Sequence, residues 1–271
     1  MDKRTLRRLL LGEFTFKRLL FSIVFIYTFF CLYVFFVSDR MIFLAQPSSY
    51  QDTPEILKLT TRDRIQISAV YRPNPTSTYT LLYTHGNAED LGDIQSVLQY
   101  LQDSGFSVFA FDYRGYGTSQ GTPSERNAYR DIDTAYNYLT QQLGVPPQRI
   151  IAFGRSVGGG VAVDLAARKP LAGLIIESAF TSAFRVIVPI PILPFDKFRN
   201  IAKIKKVSCP VLVMHGKADE VIPFHHGQQL FNAASEPKQY LWVDGAGHND
   251  FMWVAGDRYR TALQEFAQLI R

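Results

Sequence analysis

The pentapeptide Gly154-Arg155-Ser156-Val157-Gly158 follows directly on the apolar stretch Ile150-Ile151-Ala152-Phe153 and opens onto Gly159-Gly160 and a further apolar run. That order reads as a strand, a sharp turn with a serine at its apex, and a helix. A turn so tight brings backbone against backbone and forces strained dihedrals, which is why glycines flank it. A serine presented in this way is a nucleophile elbow, and it belongs to a sheet of parallel strands with crossover helices. The pattern alone is short, so its meaning rests on the rest of the chain.

The remaining sequence has the matching alternation. Strands are expected at 55–60, 65–71, 80–84, 106–111, 149–153, 173–176, 210–214 and 239–243. Helices are expected at 91–102, 124–142, from the elbow to about 168, 224–234, and from Asn249 or Asp250 to 270. Most of these strands are apolar at every position, as strands buried on both faces are. The first two join as a hairpin through 61–64. Ligands of such sheets bind beyond the carboxyl ends of the strands. His85, Asp112, Ser156, Asp219 and His248 each fall at such an end. The expected fold is α/β, a mostly parallel central sheet covered by helices on both faces, with a short cap at 180–206 and one transmembrane helix before it.

That span is the run 19–37, LLFSIVFIYTFFCLYVFFV. Nineteen helical residues rise about 28 Å, close to the hydrocarbon thickness of a bilayer. The run ends in FFVSDRMIF, with no small-residue cleavage site, so it reads as an uncleaved signal anchor and not a removed signal peptide. The expected domains are a basic N-terminus at 1–18, the span at 19–37, a linker at 38–54 and the catalytic domain at 55–271. Basic residues before the span put the N-terminus in the cytoplasm and the domain on the periplasmic, lumenal or extracellular side.

Charge distribution argues against nucleic acid as a partner. Of the formal net charge of +5, four units come from the first 18 residues, which leaves the domain near neutral. Lys203, Lys205 and Lys206 read as a solvated loop. The two cysteines, Cys31 and Cys209, have no metal-binding spacing and do not suggest a disulfide. No cofactor or metal is expected, and the redox compartment stays open.

Three residue types in chain order carry the chemistry. Ser156 needs a general base, and His248, in the glycine-rich loop Gly245-Ala246-Gly247-His248, is the candidate. Asp219 is the candidate to accept from the second imidazole nitrogen, with Glu220 its neighbour. An oxyanion needs two donors, and the backbone N–H groups of Val157 and Asn87 are the candidates. His85 reads as architectural, and His225 and His226 as solvated. Asp112 reads as organising its own turn with Arg114 for a partner. Arg155 is assigned to loop carbonyls, a carboxylate such as Glu177, or an anionic substrate group.

The motifs HGNAED (85–90), DYRGYGTSQGTPSE (112–125), GRSVGG (154–159), HGKADEVIP (215–223) and GAGHND (245–250) together resemble the α/β-hydrolases. Within them the chain is similar to the Bem46-like branch and to membrane-associated serine hydrolases of the α/β-hydrolase-domain 13 and 17 types. The resemblance covers the chain from about residue 55 to its end. It implies a membrane-anchored serine hydrolase that cleaves carboxylic esters or thioesters of lipids or acylated proteins, with Ser156, Asp219 and His248 as its triad. The implied partners are the lipid bilayer and a small acyl ester or acylated-protein substrate. An aminopeptidase or amidase using the same triad is the alternative, and a scaffold without activity a further one.

Overall fold

The structure, a computed structural model, describes residues 15–271. Most of the expected basic N-terminus, including Lys3, Arg4, Arg7 and Arg8, lies outside the described residues. The chain divides into two compact units, Met1–Met41 and Ile42–Arg271.

In the first unit the described residues form helix α1, Phe16–Ile42, whose last residue opens the second unit. The helix has 27 residues and runs past the apolar stretch 19–37 at both ends. Among the described residues it is the one helix long and apolar enough to cross a membrane. Its hydrocarbon faces, Phe21, Phe25, Phe29 and Phe36 among them, are exposed.

The second unit is built on an eight-stranded sheet in the order β1-β2-β4-β3-β5-β6-β7-β8. The strands are β1 Leu57–Thr60, β2 Gln66–Arg72, β3 Thr80–Thr84, β4 Ser107–Phe111, β5 Ile150–Arg155, β6 Gly173–Glu177, β7 Val211–Gly216 and β8 Lys238–Val243. Antiparallel pairing joins β1 to β2 and β2 to β4, and every other neighbour is parallel. From β3 to β7 every strand residue except Arg155 at the end of β5 is buried, which explains the apolar runs. Side chains still alternate between faces. In β5, Ile150 and Ala152 join one core, and Ile151 and Phe153 the other.

Helices cover both faces. On one side lie α3 (Glu125–Asn137), α4 (Val157–Ala166) and α7 (His225–Ala233), with Ile132, Val161 and Leu230 inward. On the other lie α2 (Gln95–Asp103), α8 (Phe251–Ala255) and α9 (Asp257–Leu269), with Leu98, Phe251 and Phe266 inward. Short helices α5 (Ala183–Ile187) and α6 (Asn200–Lys203) interrupt the irregular stretch after β6. Burying each such leucine, isoleucine or phenylalanine contributes about 1.5–3 kcal/mol.

Two expectations needed correction. The last helix is two, because Gly256 sits at φ 55° and breaks it. The helix after Ser124 ends its regular form at Asn137 and passes into a π-helical turn, Tyr138–Gln142. The segment 38–54, expected as a linker, falls across both units. Its first residues continue α1, and the compact unit starts at Ile42 because Phe43 is buried in the core.

Strand order locates the site. The chain leaves β3 outward to β4, then crosses back to β5 on the other side of β3. This reversal opens a crevice at the carboxyl ends of β3 and β5. Register then places Thr84 beside Gly154, Arg155 beside Glu177, and Gly216 beside Val243. The loops at 85–91, 154–158, 217–223 and 244–250 therefore meet at one edge of the sheet.

Candidate active site

Ser156 stands between β5 and α4 at φ 55° and ψ −119°, a backbone conformation that costs of order 1–3 kcal/mol in a residue with a side chain. The surroundings hold it there. Its N–H donates to the Glu177 carbonyl at 2.8 Å. The Thr84 hydroxyl bonds the carbonyls of Phe153 (3.1 Å) and Gly158 (2.9 Å), tying β3 to both arms of the turn. A Cβ on Gly158 would overlap the carbonyl oxygens of Thr84 and His85, and one on Gly154 would overlap the Gly158 carbonyl. Only glycine fits at either place.

The Ser156 hydroxyl lies 3.1 Å from His248 Nε2, and His248 Nδ1 lies 2.9 Å from Asp219 Oδ2. All three residues are buried. Asp219 Oδ1 accepts from the N–H groups of Val221 (3.0 Å) and Ile222 (2.7 Å), which leaves Oδ2 turned to the imidazole. Since a carboxylate only accepts, Nδ1 carries the proton and Nε2 presents a lone pair to the serine. Burial alone would raise the Asp219 carboxyl. Hydrogen bonds from His215, His248 and Ile222 outweigh it and hold the group well below the usual carboxylate range.

The expected oxyanion donors are the backbone N–H groups of Val157 and Asn87. Val157 is the first residue of α4, where N–H groups have no acceptor within their own helix. The loop carrying Asn87 packs on the elbow through the backbone of Thr84 and His85. The Asn87 N–H has no acceptor among the described residues.

Comparison with known proteins agrees with this frame. A family model described as serine aminopeptidase, S33, matches residues 76–195. An esterase from Pyrococcus furiosus superposes with a TM-score of 0.70 at 19% identity, over 83% of this chain and 97% of that one. The alpha/beta hydrolase domain-containing protein 17B of Xenopus tropicalis is 47% identical over 182 residues, 66% of this chain and 63% of that protein. The chain belongs to the α/β-hydrolases. The alpha/beta hydrolase domain-containing protein aho-3 of Caenorhabditis elegans is 43% identical over 218 residues, 78% of this chain and 64% of that protein. This α/β-hydrolase thus spans somewhat under two thirds of the length of those relatives.

Around the serine, the chain has contacts that its sequence only partly anticipated. Arg155 is held by the Glu89 carboxylate, lies 3.5 Å from Glu177, and donates to the His248 carbonyl (3.1 Å) and Asn249 Oδ1 (2.8 Å). Glu89 in turn accepts from the Gly86 N–H at 2.9 Å. One guanidinium at the end of β5 therefore links the loops after β3 and β8 to the end of β6. Burial would lower its affinity for the proton, but Glu89 first, then Tyr83 and Glu177, raise it. Beside it lies a pocket of about 260 Å³ walled by Tyr83, Glu89, Arg155, Glu177, His248 and Trp253.

His215 was missed. Its Nε2 bonds the Ile222 carbonyl at 2.8 Å and stands 3.4 Å from Asp219 Oδ2, so it braces the loop that carries the acid. Its place at the end of β7, four residues before Asp219, was the available signal. His85 is architectural as expected, with Nδ1 2.8 Å from the Gly86 carbonyl and Nε2 3.4 Å from Asp112.

Other assignments were wrong. Arg114 does not pair with Asp112. It reaches Asp131 (2.8 Å) and Asp63 (2.9 Å), because its side chain turns toward α3 and the β1–β2 hairpin. Asp112 instead accepts from Tyr50 and from the Leu91 N–H. His226 is buried, not solvated, since α7 turns His226, Gly227 and Leu230 toward β7, and its Nδ1 accepts from the Thr181 N–H at 3.3 Å. Lys203 is also not free in solvent. It donates to Asp164 (2.7 Å) and to the Tyr129 hydroxyl (2.6 Å), while Lys205 and Lys206 are exposed.

Proposed function

We propose that this chain is a membrane-anchored serine hydrolase that cleaves a carboxylic ester or thioester through an acyl-enzyme. The observation that carries the reading is the single imidazole that bridges the Ser156 hydroxyl and the Asp219 carboxylate. Ser156 Oγ attacks the acyl carbon while His248 Nε2 takes the hydroxyl proton, and Asp219 stabilises the resulting imidazolium. The N–H groups of Val157 and Asn87 bind the oxyanion of the tetrahedral intermediate. Collapse breaks the bond to the leaving oxygen or sulfur, which receives the proton from His248. Water then attacks the acyl-serine with His248 as base again, releasing the carboxylic acid and restoring the hydroxyl.

Acyl substrates of lipid character fit the setting. Helix α1 spans the bilayer through 19–37, with the N-terminus cytoplasmic and the catalytic unit on the opposite side. The bilayer is then a partner, and amphiphilic substrates are concentrated next to the enzyme. Residues 180–206 act as a short cap, and the exposed Ile187, Ile190 and Ile192 on it suit a lipid or acyl chain. Names among the structural neighbours, an esterase and a monoacylglycerol lipase, are in keeping with this substrate class. The name of the matching family model keeps an aminopeptidase in view, as do Glu89 and Glu177 in the pocket beside His248. Both carboxylates face Arg155, however, which leaves them poorly placed to bind a substrate ammonium.

A fluorophosphonate probe tests the mechanism. Wild type should be labelled and Ser156→Ala should not, with ester hydrolysis down on the order of 10³-fold or more. Equal labelling of the two would refute it. Acyl esters of graded length compared with aminoacyl amides test the substrate class, and a preference for the amides would favour the peptidase. A reporter fused after Arg271 tests the orientation, which a cytoplasmic signal would overturn.

A further inference from the structure

An asparagine amide offers two donor hydrogens and an acceptor oxygen. At Asn87 the side chain spends them on the chain segment that leaves the apolar helix. Its Nδ2 donates to the carbonyl of Ile42 at 2.6 Å, and its Oδ1 accepts from the Leu44 N–H at 2.9 Å. The same oxygen accepts from the Tyr116 hydroxyl at 2.7 Å and from the Ala88 N–H at 3.0 Å. Ile42 is the last residue of α1. Between the two bonded residues, Phe43 is buried against Tyr113, Tyr116 and Phe198, with ring centroids 6.2, 6.3 and 5.9 Å away.

A second attachment follows a few residues on. The backbone N–H of Ser49 donates to Asp90 at 2.7 Å, and its hydroxyl bonds the same carboxylate. The Tyr50 hydroxyl donates to Asp112 Oδ2 at 2.6 Å, and Asp112 Oδ1 accepts from the Leu91 N–H at 2.9 Å. The segment 42–50 therefore grips the loop after β3 at both of its ends, at Asn87 and at Asp90–Leu91, while residues 45–48 between the grips are exposed. Packing alone does not need this arrangement, since Phe43 would fill its cage without a bond to Asn87.

We infer that the segment 42–50 is a strap that holds the 86–91 loop in its working conformation, with Asn87 as the positioning residue. This rests on the reading of the Asn87 backbone N–H as an oxyanion donor. One residue then joins two tasks. Its backbone faces the developing charge, and its side chain fixes that backbone to the point where the chain leaves the apolar helix. Turnover depends on the segment 42–50 staying docked on that loop.

The test uses the full chain in detergent, with Asn87→Ala, Phe43→Ala and the mild Tyr50→Phe. Asn87→Ala keeps the backbone N–H and removes the grip together with the bonds from Tyr116 and Ala88, whereas Tyr50→Phe leaves those two bonds in place. Hydrogen exchange at 86–91 should rise about fivefold or more in each, the equivalent of one lost hydrogen bond of about 1 kcal/mol, with β5 and β6 unchanged. For a short soluble ester, kcat should fall about tenfold in Asn87→Ala with KM within about twofold, because losing a donor outright costs about 10²–10³ and a loosened one retains part of that. Unchanged exchange at 86–91 in both Asn87→Ala and Tyr50→Phe overturns the strap, as does wild-type kcat in Asn87→Ala. If wild type itself neither hydrolyses the ester nor takes a fluorophosphonate, the hydrolase reading fails and the inference falls with it. An active wild type matched by its variants removes the inference alone.

Discussion

Replacing Arg155 with methionine keeps the stem of the side chain and deletes the charge that the loops around Ser156 share. The consequence falls on Glu177. That carboxylate is buried at the end of β6, and its remaining partner would be the Tyr259 hydroxyl at 2.6 Å. Breaking a buried ion pair from one side costs about 3–5 kcal/mol. Tyr259 keeps one hydrogen bond, and Glu89, with a side chain 26% exposed, can turn to water. The expected loss is therefore at the low end, about 3 kcal/mol, or about 6–12 °C in Tm for a unit of this size. The pH dependence fixes the cause. Burial already raises the Glu177 carboxyl, and Arg155 and then Tyr259 oppose the rise. Without Arg155 it rises further. A carboxyl raised in the folded state contributes stability that is present below its unfolded value, about 4.3, and lost as pH climbs through the folded one. The deficit of Arg155→Met should thus be larger at pH 8 than at pH 5. Adding Glu177→Gln should recover about 2 kcal/mol of it at pH 8. Thermal unfolding of the full chain in detergent at the two pH values measures this. A deficit under about 1 kcal/mol at pH 8, or one equal at pH 5 and pH 8, would refute the claim that Arg155 opposes the rise of the buried Glu177 carboxyl.

Two other perturbations read separate parts of the fold. Burial first, then His225 and His215, push His226 down to about 4, so between pH 6.5 and 4 the unfolded chain takes up a proton that the folded one refuses. Stability should fall by about 2 kcal/mol across that window, and His226→Asn, which keeps an acceptor for Thr181, should flatten the Tm-versus-pH curve there; parallel curves would count against it. At the elbow, Gly158→Ala sets a methyl against the carbonyls of Thr84 and His85, which are backbone and cannot turn aside. A loss of about 3 kcal/mol with kcat lowered at least as much as in Asn87→Ala is expected, and a variant as stable and active as wild type would show that the turn has slack.

What could be read in advance follows from how local each constraint is. A strand buried on both faces must be apolar at every position, so β3 to β7 announced themselves as short unbroken runs. The elbow was legible because its geometry demands Gly154 and Gly158 within five residues. Ser156, Asp219 and His248 were found together because a parallel sheet gathers the carboxyl ends of its strands, so chain order and strand ends sufficed. The partners of Arg155 were another matter. Glu177, at the end of β6, was named among its candidates, but Glu89 lies on the loop after β3 and nothing local marks it as the acid that Arg155 reaches. His226 had a usable signal, since it stands one turn before Leu230 on the inward face of α7, yet its polarity suggested solvent.

The segment after α1 shows the same limit at the level of domain boundaries. Residues 38–54 mix apolar, small and polar types with no period, which is how a linker reads. Whether such a stretch docks depends on receptors far along the chain, here the amide of Asn87, the carboxylates of Asp90 and Asp112, and the aromatic cage around Phe43. The motif HGNAED was read for its backbone alone, as the source of an oxyanion donor. Its asparagine and its last aspartate also bond, through their side chains, a segment more than 40 residues earlier. A motif next to a nucleophile can therefore record how the chain arrives at the site as well as what the site does.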